Sequence, residues 1–170
     1  MTPATRRRSW GRGIALSLIT AALLVVMLAA AQSSGKSASA SQLPPGSAEL
    51  IQPEDLLKVL KSGKKPTLFY VGPRFLYAQA HIPGAEFIGA AGEVESLDKL
   101  RKRVASLSKN SAIVVYCGCC PWEHCPNIRP AFKELQKMGF TNVKALYLAN
   151  SFGTNWVDKG YPVEKENSGR

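Results

Sequence analysis

Residues 111–130 read SAIVVYCGCCPWEHCPNIRP, a β-branched run that empties into a loop holding all four cysteines of the chain. Ala112, Ile113, Val114, Val115 and Tyr116 are uncharged and do not alternate with polar residues, the pattern of a strand covered on both faces of a parallel sheet. Cys117 follows at the carboxyl end of that strand. Beyond the loop, Ile128, Ala131, Phe132, Leu135 and Met138 recur at helical spacing. Asn127 is placed to cap that helix, and Pro130 fits a first turn, where no amide hydrogen is required. The segment is therefore a strand-to-helix crossover. In open α/β sheets ligands gather beyond the carboxyl ends of the strands, and a helix starting there directs unpaired amides and partial positive charge toward them. A thiolate in such a loop is stabilised.

Upstream, Met1–Gly13 carries Arg6, Arg7, Arg8 and Arg12 and no acidic residue, and Ile14–Ala31 follows with 18 residues and no charge. This reads as an export signal. Its length lies between a signal-peptide core and a full span of about 20 residues. Ala29, Ala30 and Ala31 before Gln32 suit a peptidase, so residues 1–31 are expected to be a signal peptide or an amino-terminal membrane anchor, with composition favouring cleavage. The chain is then exported, to the periplasm or another extracytoplasmic space, soluble after cleavage or membrane-associated through this segment. Residues 32–47 are rich in Ser, Ala, Gly and Pro and read as a flexible linker. Residues 48–165 have the length of one domain, expected to fold without the leader, and 166–170 form a tail. Of the 22 basic residues four lie in the leader, while all 12 acidic ones follow it, leaving 18 against 12, or +6. No arginine-aromatic cluster or nucleic-acid motif accompanies this excess, so no nucleic-acid partner is expected.

Within the domain, Pro53–Leu60 is predicted as an acidic-started helix ended by Gly63. Thr67–Val71 reads as a strand broken by Gly72-Pro73, Arg74–Gln79 as a turn or two of helix, and Glu86–Ile88 as a brief strand. A helix carries Val94, Leu97, Leu100, Val104 and Leu107. Gly139 closes the helix after the cysteine loop, Val143–Leu148 is another strand, and a last helix falls around Thr154–Lys159. Strands alternating with helices on short connections imply an α/β fold with a parallel or mostly parallel sheet.

Five landmarks stand together: a helix before TLFYV, the turn AHIPGAEFI, the strand and cysteine IVVYC, the helix ending KMGF, and the closing WVDKGYPVE. In this order and spacing the chain, from about Ile51 to Lys165, resembles a rhodanese-like domain. The resemblance implies a small parallel sheet flanked by helices and sulfurtransferase activity through a cysteine persulfide. The matching cysteine is Cys117. Its thiolate would take the outer sulfur of a small donor such as thiosulfate or a persulfide and yield it to a thiol or cyanide. Arg129 would orient an anionic donor. Against the family's pattern the loop is about five residues longer and adds Cys119, Cys120 and Cys125. Tyr70 and Gly72 stand where the family has an acidic residue and an arginine, with Arg74 available to compensate.

The active-site loop thus comprises Cys117, Gly118, Cys119, Cys120, His124 and Cys125. Its extra cysteines admit three readings. One is thiol or sulfur chemistry, with Cys120 or Cys125 as alternative nucleophiles and Cys117 with Cys120 as a C-x-x-C redox pair. A second departs from the expectation of no cofactor: Cys117, Cys119, Cys120 and Cys125, with His124, holding copper, zinc or an iron-sulfur centre. The third is disulfide staples, which adjacent Cys119 and Cys120 make difficult. A non-catalytic metal-binding or interaction module therefore stays beside the enzyme reading. Phosphatase chemistry, which needs an arginine six positions after the cysteine, is disfavoured, since Glu123, Cys125, Pro126 and Ala131 occupy those places. His81 reads as a structural residue of its turn, Trp122 as a cover on the site, and Pro121, Pro126 and Pro130 as restraints on the loop.

Overall fold

Tyr116 and its predecessors lie at the centre of the sheet. The computed structural model describes residues 49–166, so the expected leader, linker and most of the tail lie outside the described residues. Strands β1 (Leu50–Ile51), β2 (Thr67–Tyr70), β3 (Glu86–Phe87), β4 (Ile113–Tyr116) and β5 (Val143–Leu146) form one parallel sheet in the order β1-β5-β4-β2-β3. β4 pairs with β2 from Thr67 opposite Ile113 to Tyr70 opposite Tyr116, and with β5 from Ile113 opposite Val143 to Val115 opposite Ala145. All four β4 side chains are buried, as an unalternated apolar strand requires.

The helices are α1 (Pro53–Lys61), α2 (Arg74–Gln79), α3 (Val94–Val104) and α4 (Ile128–Lys137). Strand periodicity divides β4 between two cores. Ile113 and Val115 face Leu100 and Val104 of α3 and Ile128, Ala131, Phe132 and Leu135 of α4. Val114 and Tyr116 face Leu56 of α1, Tyr77 of α2, Phe152 and Trp156. Each of the large aliphatic side chains so buried contributes about 1.5–3 kcal/mol. Cys117 continues the first set and joins the α3 and α4 side. Among the described residues no helix is long and apolar enough to cross a membrane.

Most predicted elements are found within two residues, the helix expected to carry Leu107 ends three residues earlier at Val104, and two larger differences appear. β1, a two-residue edge strand, carries no period of its own; its pairing is made by β5, where Ala145 N–H donates to the Glu49 carbonyl at 2.8 Å and Tyr147 N–H to that of Ile51 at 2.9 Å. The closing helix is a π turn over Gly153–Val157, in which Asp158 N–H reaches back to the Gly153 carbonyl at 2.9 Å. That turn buries Trp156 completely and lets its indole donate to the Pro162 carbonyl at 2.8 Å. His81 has a structural place: its Nδ1 pairs with the Tyr77 carbonyl at 2.8 Å, its ring stacks on Tyr77 at 3.9 Å, and its backbone bridges Glu164. The HIPGA turn and the closing PVE are thereby fastened together.

Candidate active site

After Tyr116 the chain turns sharply at Gly118, whose φ is +77°. A Cβ there would meet the Phe152 Cβ at 2.5 Å and its backbone nitrogen at 2.7 Å, while Phe152 N–H donates to the Gly118 carbonyl at 3.0 Å. Both the backbone conformation and the space demand glycine. Gly118→Ala is expected to lower stability by about 3 kcal/mol or more, the sum of a left-handed alanine and a clash with backbone. Urea unfolding followed by tryptophan fluorescence checks this; a loss under about 1 kcal/mol would show that Phe152 yields easily.

The turn gathers thiols. All four cysteines are free, and the Sγ atoms of Cys117, Cys119 and Cys125 lie within 4.8 Å of one another. Cys117 and Cys119 are 3.2 Å apart, and Cys119 and Cys120 3.3 Å. Cys117 and Cys125 are buried, whereas Cys119 and Cys120 are partly exposed. Cys120 and His124 fall outside the close trio, and His124 is exposed on the short 3-10 turn Trp122–His124. Trp122 is buried in the same core as Cys117 and Cys125 and packs edge-on against Tyr147 at 5.2 Å.

The α4 N-terminus is arranged differently from the sequence expectation. Asn127 makes no side-chain cap. It is buried, its Oδ1 accepts from Gly92 N–H at 2.9 Å, and its Nδ2 donates to Cys117 Sγ at 3.5 Å and to Cys119 Sγ at 3.8 Å. The sulfur of Cys125 takes the free amides instead, those of Asn127 and Ile128. Nothing in the sequence marks this exchange, because a cysteine is an uncommon cap and asparagine a favoured one. The Cys125 thiol is consequently pulled down to about 5, first by the hydrogen bond from the Cys117 thiol and then by those amides, against the effect of burial. Cys117 moves the other way, far above an ordinary thiol, because its proton is held against Cys125 and because it is buried. The two shifts run in opposite directions and belong to the pair. Burial and the bond to Cys119 push Cys120 up to about 12.

On the opposite side of Cys117, the two residues that depart from the family's pattern meet. A Cβ on Gly72 would stand 2.7 Å from Cys117 Sγ and 2.8 Å from the Tyr70 hydroxyl oxygen, so the missing side chain makes room for both. The Tyr70 hydroxyl is buried and has no hydrogen-bond partner. Tyr70 is one of the residues lining a cavity of about 400 Å³, with Leu76, Gln79, Cys119, Ser151, Phe152 and Val157. Arg74 pairs with Glu166 at 2.9 Å and lies over the Phe87 ring at 4.8 Å, so it does not replace the missing arginine there. Arg129 directs Nη1 to the carbonyls of Glu123 at 3.4 Å and Cys125 at 3.5 Å, bracing the loop, while its Nε and Nη2 are buried without partners.

The rhodanese-like domain model matches residues 52–151. No curated protein matches the sequence. Among solved structures, the rhodanese-like domain of the Alr3790 protein from Anabaena sp. is 23% identical with a TM-score of 0.52, covering 73% of this chain and 84% of its own. The BH2092 protein from Bacillus halodurans is 24% identical with a TM-score of 0.54, covering 68% of this chain and 76% of its own. A thiosulfate sulfurtransferase from Pseudomonas aeruginosa is 24% identical with a TM-score of 0.51, covering 72% of this chain but only 20% of its own. These likenesses establish a shared fold, and the matched model spans more than half of the sequence. The chain belongs to the rhodanese-like domain family.

Proposed function

We propose that the chain is a sulfurtransferase that carries sulfane sulfur as a persulfide on Cys117. The observation that supports this best is the trio of Cys117, Cys119 and Cys125 sulfurs, within 4.8 Å of one another at the carboxyl end of the central strand and beside the start of α4. Cys117 Sγ attacks the outer sulfur of the donor and forms the new S–S bond. The bond from that sulfur to the rest of the donor breaks, the leaving group departs with the electron pair, and the Cys117 proton passes to Cys125. An acceptor thiolate or cyanide then takes the outer sulfur, and Cys125 returns the proton. Asn127 Nδ2 steadies the sulfur through both steps. Intact mass spectrometry of the full-length chain before and after exposure to a sulfur donor tests the reading. Gain of one sulfur per chain, removable by cyanide, is expected; no uptake from any donor would reject it.

A second reading draws on the same trio. Three thiols this close would share one soft ion, copper(I) or zinc, with sulfur ligands alone. Native mass spectrometry distinguishes the two: a stoichiometric metal that blocks sulfur uptake would favour the metal reading.

A further inference from the structure

We propose that the amino-terminal end of the sheet, opposite the cysteine loop, is a docking face for anionic phospholipid, whose headgroup is held by Lys61 and Lys65 while its apolar part enters the hollow beside them. This goes beyond the sulfurtransferase reading and does not depend on it. Because all five strands are parallel, the connections leading into β2, β4 and β5 lie side by side at one end. Thr67 is opposite Ile113, Ile113 is opposite Val143, and Thr141 N–H donates to the Lys109 carbonyl at 2.9 Å. Residues 61–66, 102–112 and 136–142, which reach that end, contain no acidic residue. Lys61, Lys64, Lys65, Lys102, Lys109 and Lys137 are exposed there, and none of them pairs with a carboxylate among the described residues. A helix carboxyl end favours a lysine, which accounts for Lys61, Lys102 and Lys137; Lys64, Lys65 and Lys109 stand outside the helices.

The hollow makes the face more than a set of solvated lysines. It holds about 470 Å³ between Leu57, Leu60, Leu68, Pro66, Pro83 and Pro162, with Lys61 and Lys65 also in its wall. Apolar surface beside two ammonium groups without partners suits a ligand that is anionic at one end and apolar at the other. Inorganic phosphate or a nucleic acid would use the lysines and leave the hollow empty. The carboxylate beside the hollow is already engaged: Glu164 accepts from Gly84 N–H at 3.2 Å and lies 3.7 Å from His81 Nε2. Two further observations favour lipid in a membrane surface. The chain enters the domain at Glu49, just before β1 and therefore at this same end, from a sequence that holds the 18-residue uncharged stretch Ile14–Ala31. At the other end stand Glu54, Asp55, Glu93, Glu95 and Glu123, where Arg74 is paired with Glu166. This division of charge along the strands turns the lysine end toward an anionic surface and leaves the cysteine loop facing away from it.

Dihexanoyl phosphatidylglycerol, kept below its micelle concentration, is titrated into the full-length chain while thermal unfolding is followed by tryptophan fluorescence. At about tenfold excess over its Kd the lipid should raise the midpoint by about 5 °C. Glycerol phosphate and dihexanoyl phosphatidylcholine at the same concentration should raise it by less than about 1 °C. Lys61→Gln with Lys65→Gln should weaken the lipid about 30-fold, about fivefold for each lysine at an anionic surface, and so remove most of the shift. Vesicles of phosphatidylcholine and phosphatidylglycerol in equal parts should bind the parent about 100-fold more tightly than the triple variant Lys64→Gln, Lys65→Gln, Lys109→Gln; the leader is common to both chains and cancels. A shift from glycerol phosphate as large as from the lipid would show that the hollow is unused, and one as large from dihexanoyl phosphatidylcholine that the lysines are. Either result overturns the proposal, as does a double variant that keeps the full shift or a triple variant that binds vesicles as tightly as the parent. Binding of DNA or polyphosphate that the triple variant loses, without binding of vesicles, would overturn it in favour of a polyanion. Sulfur loading by all of these variants should match the parent, so the sulfurtransferase reading is tested separately.

Discussion

Cys117→Ser is expected to abolish sulfur loading, a fall of at least about 1000-fold, because a serine hydroxyl does not form a stable bond to sulfane sulfur. The fold should survive. Cys117 is buried with no exposed surface, and serine is no larger, so no clash arises. The cost is one hydroxyl in a mostly apolar setting, about 1–2 kcal/mol, reduced by Asn127 Nδ2, which donates to the same position. Intact mass after donor exposure reads the loss, and a melting curve reads the fold. A variant that still takes up one full sulfur would place the persulfide on Cys119 or Cys125. The adjacency of Cys117 to the strand would then be structural, and the 3.2 Å separation from Cys119 the chemically relevant distance. Because Cys119 lines the cavity and lies 3.2 Å from Cys117, the matching comparison is Cys119→Ser, which should still gain one sulfur per chain.

How far the sequence discloses this arrangement depends on what kind of pattern each part carries. The run from Ala112 to Tyr116 announces a buried parallel strand because its apolar residues do not alternate, and α4 announces its inner face through Ile128, Ala131, Phe132 and Leu135. Those signals are local. β1 is silent because its place is decided by β5, and the π turn around Trp156 is silent because a distant carbonyl at Pro162 sets it. The cysteine loop divides the same way. The strand-end position favours Cys117 and leaves Cys120 and Cys125 open, and the family resemblance marks Tyr70 and Gly72 as departures, yet only the fold shows that Cys117 Sγ and the Tyr70 hydroxyl both crowd the space a Gly72 side chain would fill. Asn127 reads as a cap from its position, whereas tertiary packing turns its amide to Gly92 and the sulfurs and leaves the helix amides to Cys125. Arg129, read as a donor-binding residue, also touches the carbonyls of Glu123 and Cys125, contacts that no linear pattern encodes, while its Nε and Nη2 stay without partners.

Cys125→Ser is expected to change the pH dependence of loading while sparing the fold. In the parent the Cys117–Cys125 pair has already lost a proton above about pH 5, so loading is level from pH 6 to 8 and falls as pH drops through 5. Around Cys125 stand the thiols of Cys117, Cys119 and Cys120 and the amides of Asn127 and Ile128, with Arg129 Nη1 on its carbonyl at 3.5 Å. In the variant Cys117 must ionise alone and buried, above the ordinary thiol value of about 8.5, so loading at pH 7 should drop about 100-fold and climb tenfold per pH unit. Serine is a better helix cap than cysteine, so the amides of α4 stay satisfied and a merely structural role for Cys125 predicts no kinetic change. The linkage carries a second sign. Cys125, depressed in the folded state, adds stability that is present above its unfolded value near 8.5 and is lost as pH falls through about 5, so the parent should gain stability between those limits. The variant should lose that slope. A parent whose urea midpoint is flat from pH 5 to 8, together with an unshifted loading profile in the variant, would show that the anion does not rest on Cys125 and that Cys117 is activated by other means.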